Sequence, residues 1–80
     1  MTTAMKRDLE IKYAYATKNY ALTRGGYSTE IYDSVLSKYY QTAFNWLLEN
    51  VIKKERKVLT AKLIFKTILY FQKTGQGGVK

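Results

Sequence analysis

The chain is 80 residues long and sets 14 Lys and Arg against 6 Asp and Glu, for a net charge of +8. That length supports one small domain, which buries only roughly 60–65% of its unfolded surface. With no Cys and no His, the composition excludes a disulfide framework, thiolate metal sites and the commonest general base at neutral pH.

A hydrophobic content of 46% with 15% aromatic residues is that of a globular chain. Pro is absent and Gly falls in two clusters, as expected of a few helices joined by short links. No apolar run approaches the length of a membrane span. The N-terminal MTTAMKRDLEIKY is charged throughout and lacks the apolar stretch of a signal peptide. The expectation is an all-α, cytoplasmic, three-helix domain that assembles as a homodimer.

The first helix is predicted over 5–23. Met5, Leu9, Tyr13, Ala16 and Tyr20 recur at spacings that place them on one face. Ile11, Tyr15 and Leu22 make a second apolar row on nearly the opposite side. Such a helix has two things to touch: the next helix, and either a second subunit or a target. Tyr15 also reads as a plain exposed aromatic. Thr2 or Thr3 is the candidate cap, although Lys6 and Arg7 oppose the helix dipole there.

Arg24-Gly25-Gly26 ends this helix, because a Gly past the last turn takes the left-handed conformation at little cost. As a phosphate cradle the pair is a poor match, with no GxxxxGK[ST] pattern and no preceding strand.

The second helix is predicted over 28–52 and is the element on which the rest is expected to pack. Tyr32, Val35, Leu36, Tyr39, Ala43, Trp46 and Leu47 recur every three or four residues, with Tyr40, Phe44 and Val51 widening the face. Ser28 is its N-cap, Tyr27 and Tyr32 form a hydrophobic staple, and Glu30 and Asp33 suit the dipole.

The run KKERK, Lys53–Lys57, interrupts the apolar pattern and is expected to be a basic link. One long helix is the other possibility, but Asn50 and Lys54 spoil a heptad repeat. Leu59, Thr60 and Ile64 look like the staple and cap of a new helix.

The third helix is predicted over 60–73. Leu63, Ile64, Phe65, Ile68, Leu69, Tyr70 and Phe71 cover most of its circumference, and only Lys62, Lys66 and Lys73 mark a polar stripe. A helix this apolar is expected to be buried on most sides, in the core or in a subunit contact. A strand at LIFKTILYF would have no partner. The tail over 75–80, rich in Gly, is expected to stop the helix and fray.

Six carboxylates, Asp8, Glu10, Glu30, Asp33, Glu49 and Glu55, fall on polar faces or in the basic link, with no apolar setting to raise one as an acid. No catalytic group, metal ligand or cofactor is expected. Tyr13, Tyr20, Tyr32 and Tyr39 are assigned to the core, leaving Tyr15 freer to stack on bases.

Charge is the sharper signal: residues 51–80 hold eight basic groups and one acidic group. Lys53, Lys54, Arg56, Lys57, Lys62 and Lys66 are the candidate nucleic-acid contacts, through phosphates. Base readout by a helix-turn-helix is disfavoured, because the third helix offers only Thr60, Lys62 and Lys66 near its start. The alternative is a protein-interaction module, of inhibitor, adaptor or immunity type, binding an acidic protein or an anionic membrane surface.

Overall fold

Seven helical pieces follow one another in the computed structural model of the protein, which describes residues 3–74. They are α1 (Thr3–Thr23), α2 (Thr29–Ser34), a 3₁₀ turn (Leu36–Tyr39), α3 (Tyr40–Leu47), a π turn (Leu48–Ile52) leading into α4 (Lys53–Glu55), and α5 (Ala61–Thr74). No strand occurs among the described residues, so the fold is all-α. The predicted tail over 75–80, and Thr2 as a cap, lie outside them. No helix among the described residues is long and apolar enough to cross a membrane.

The helix starts read from sequence have the expected chemistry. Ile31 N–H donates to Ser28 Oγ at 3.2 Å, and Leu63 N–H donates to Thr60 Oγ1 at 3.1 Å. Leu59 and Ile64, on either side of the second cap, are both buried. Gly26, at φ 78°, turns the chain after α1, and Tyr27 N–H then donates back to the Ala21 carbonyl at 3.1 Å.

The segment over 28–52 is not the single regular helix expected. Its first break is at Val35, where Ser34 Oγ donates to the Glu30 carbonyl at 2.7 Å and Ser37 Oγ to the Asp33 carbonyl at 2.6 Å. Side-chain hydroxyls that take carbonyls four residues back compete with the helical ladder, and here two of them bracket the irregular residue. Further on, Asn50 Nδ2 donates to the Trp46 carbonyl at 3.0 Å, and the ladder widens into the π turn at that point. Helical structure then continues through Lys53 and Lys54, and the true link is 56–60, later in the chain than the basic link expected over 53–57. Arg56 ends the helix in the left-handed conformation at φ 54°.

The hub of the fold is α5 rather than the segment before it. It packs on α1, on the 3₁₀ turn and on α3. Ile64, Phe65, Ile68 and Phe71 lie on its buried face, and Phe65 meets the rings of Tyr20 at 5.4 Å and Tyr27 at 5.8 Å. Opposite them stand Leu36, Tyr39, Ala43, Phe44, Leu47 and Leu48. The burial of α5 is thus one-sided, not all round: Tyr70 is 57% exposed. Two tyrosine hydroxyls fasten α1 to the remainder. Tyr13 donates to the Leu59 carbonyl at 2.9 Å, and Tyr40 donates to the Glu10 carbonyl at 2.6 Å.

Candidate nucleic-acid interface

All six predicted cations are exposed, and they divide into two groups by position. Lys53, Lys54, Arg56 and Lys57 surround the end of α4 and the start of the link. Lys62 and Lys66 stand one turn apart on the outer side of α5, along a row that continues to Tyr70.

Among the described residues, acids reach two of the six. Lys53 Nζ lies 3.8 Å from Glu49 Oε1, and Lys57 Nζ lies 3.4 Å from Glu55 Oε1. All four of these side chains are more than half exposed, so each pair contributes about 0.2–1 kcal/mol and a competing phosphate can displace it. Lys54, Arg56, Lys62 and Lys66 have no acidic partner among the described residues.

The conformation of Arg56 adds to this. A non-Gly residue in the left-handed region costs roughly 1–2 kcal/mol, and helices ordinarily end there with Gly. The chain instead carries a cation at that position, facing solvent.

The outer side of α5 borders two shallow hollows that meet at Lys66. One, of about 250 Å³, is lined by Thr60, Lys62, Leu63 and Lys66. The other, of about 410 Å³, is lined by Trp46, Lys66, Thr67, Tyr70 and Phe71. Phe71 is buried and forms the base of the larger one, with the Trp46 ring edge-on to it at 6.1 Å and the Tyr70 ring tilted to it at 5.8 Å. No acidic residue lines either hollow.

Trp46 was expected on the core face and is 44% exposed. The buried side of α3 carries Ala43, Phe44 and Leu47, which leaves Trp46 at its margin. A helical wheel centred on Phe44 and Leu47 carries that signal, since adjacent residues lie about 100° apart. Periodicity likewise puts Tyr70 in the apolar circumference of α5, and the structure leaves it exposed. Both rings belong to the candidate site, and neither was among its predicted residues.

Two of the acids elsewhere, Asp33 and Glu10, have local partners. Asp33 pairs with Lys18 at 3.0 Å, and Glu10 Oε1 accepts from Gln41 Nε2 at 2.9 Å. Among the described residues no group of three or more acids gathers as a metal-binding set. Burial is the main cause that pushes the Tyr32 hydroxyl up to about 12, with Asp33 adding to it. Tyr40 is raised further, chiefly by burial and then by Glu10. Both are structural groups remote from the cations in sequence.

No protein-family description, curated protein or solved structure matches this chain.

Proposed function

We propose that this protein is a small, non-enzymatic nucleic-acid-binding protein that grips the phosphate backbone through Lys53, Lys54, Arg56, Lys57, Lys62 and Lys66. One observation carries the reading: four of the six cations project into solvent without an acidic partner among the described residues, and the other two hold only exposed pairs. In a domain with a net charge of +8, unneutralised cations are electrostatically costly to each other unless something anionic binds. Backbone contact demands no base-reading helix, which suits an α5 committed to the core. Cytoplasmic location and a homodimeric state belong to the same proposal.

The test is a salt titration. For about five phosphate contacts, affinity falls by a few hundred-fold between about 50 and 200 mM salt. Replacing Lys53, Lys54, Arg56 and Lys57 together by Gln leaves helicity intact and flattens that dependence. An unchanged slope in this variant removes those four from the interface.

A second reading rests on the outward side of α1, where Ile11 is 55% and Tyr15 is 76% exposed. These residues fit a protein contact, whether with an acidic partner or with another copy of the chain. Sedimentation of the wild type against Ile11→Ser with Tyr15→Ser separates the two: loss of a dimer in the variant assigns the row to self-association.

A further inference from the structure

We infer that the hollow between Trp46 and Tyr70 receives an unpaired base, so that the protein prefers single-stranded nucleic acid to duplex. This rests on the backbone-binding reading above and adds what that reading leaves out, the state of the strand. Trp46 and Tyr70, both exposed large apolar side chains, border the same hollow, and that hollow is shared with the cation Lys66.

Each ring is held but not covered. Phe71 contacts both from the core side, at 6.1 Å and 5.8 Å, and fixes their positions, while 44% of Trp46 and 57% of Tyr70 stay in solvent. Neither the Trp46 indole N–H nor the Tyr70 hydroxyl makes a hydrogen bond among the described residues, so both remain available to a base edge or sugar. The hollow, about 410 Å³, falls within the size range of small-ligand sites, roughly 300–1,000 Å³.

The charges supply the direction of the strand. Lys66 lines the aromatic hollow and the neighbouring one, which also holds Lys62 and Thr60. A base stacked at Tyr70 or Trp46 therefore has cations for its flanking phosphates along the same side of α5. Stacking platforms joined to a positive track are the means by which single strands are bound without sequence readout. A duplex cannot use this site, because its base faces are already stacked on one another. An apolar peptide would gain from the rings but not from a cationic rim free of acids. That charge pattern is what commits the site to a nucleic acid.

Trp46 is the only tryptophan, so its fluorescence reports on this hollow alone. The full chain is titrated at low salt with oligothymidine of about 15 nucleotides, with an RNA strand of the same length, and with a duplex of that length. The expected result is quenching of Trp46 by either single strand and none by the duplex. Binding of labelled strands is then followed by anisotropy for Tyr70→Ala and for Trp46→Leu, whose helicity is checked by circular dichroism. Each variant binds the single strand roughly tenfold or more weakly and the duplex as the wild type does. Equal binding of all three probes without quenching overturns the stacking site and leaves the backbone reading standing. Absence of binding to any probe overturns both.

Discussion

The two ends of the helix-link-helix units of this fold are built on opposite principles. The joint after α1 uses glycine where no other residue fits. A Cβ added at Gly25 meets Phe65 Cζ at 2.6 Å and the Ala21 carbonyl at 2.9 Å, and Gly26 adopts φ 78°. The joint after α4 has no glycine at all, and Arg56 takes the left-handed turn at φ 54°. The first joint is closed down on the core, with Phe65 against it. The second is open to solvent, with Val58 78% exposed beside the turn. The difference teaches where the fold is made and where charge is displayed: close packing dictates residue choice at 24–28, whereas at 56–60 local strain is tolerated among cations.

The strongest way to break that comparison is Gly25→Ala. One added methyl has to displace the Phe65 ring and a backbone carbonyl, an overpacking cost of about 1–3 kcal/mol. In a domain of this size each kcal/mol lowers Tm by about 4–8 °C, so thermal melts read the effect directly. A melt unchanged from wild type would mean that the first joint is not close-packed.

Alkali acts next, and through the segment that the first joint launches. Tyr32 is the buried residue of α2, just after this joint, and its hydroxyl is pushed up to about 12, mainly by burial. Tyr40, also raised mainly by burial, ties the same segment to α1. An unfolded tyrosine ionises near about 10. The folded chain keeps these protons where the unfolded chain loses them, so the stabilisation is complete below about pH 10 and disappears as pH rises through the folded values. Urea midpoints should fall steeply above about pH 10, and Tyr32→Phe should reduce that slope. A Tyr32→Phe slope equal to wild type would assign the alkaline loss to other groups.

A smaller effect sharpens the second joint. Tyr13 holds the link by donating to the Leu59 carbonyl at 2.9 Å. Tyr13→Phe removes that bond and leaves a partly buried acceptor unpaired, for about 1 kcal/mol of destabilisation. Amide exchange at 59–61 should quicken in the variant while exchange at 25–28 stays as it was. Equal acceleration at both joints would show that they are not independent.

What the sequence made legible follows from how local each feature is. Ser28, Thr60 and the Gly25-Gly26 stop are decided within four residues, and the structure carries all three. The breaks at Val35 and Asn50 also have local causes, in Ser34, Ser37 and the Asn50 amide. These were hidden because the apolar row runs across them without a gap. Trp46 and Tyr70 depended on which part of a broad apolar face is turned inward, and that is settled by how α3 and α5 meet. Periodicity finds a face; it does not find its edge. The cations were legible because a charge run can hardly be buried, but sequence could not say which of them acids would engage.

Arg56→Gly tests the comparison at its finest grain, since it moves stability and binding in opposite directions. Relief of the left-handed arginine is worth roughly 1–2 kcal/mol, and the greater unfolded freedom of glycine takes back roughly 0.5–1. The net is a gain of about 0.5–1 kcal/mol, seen as a higher urea midpoint with an unchanged m value. The same substitution deletes one of the four cations without an acidic partner, so nucleic-acid affinity should weaken and the salt slope should drop by about one contact. Arg56→Lys keeps both the strain and the charge, and serves as the control. A Gly variant that is stabilised but binds as wild type would leave the strained arginine without a functional reason. One that is destabilised would mean that Arg56 is held by packing, and the contrast between the two joints would collapse.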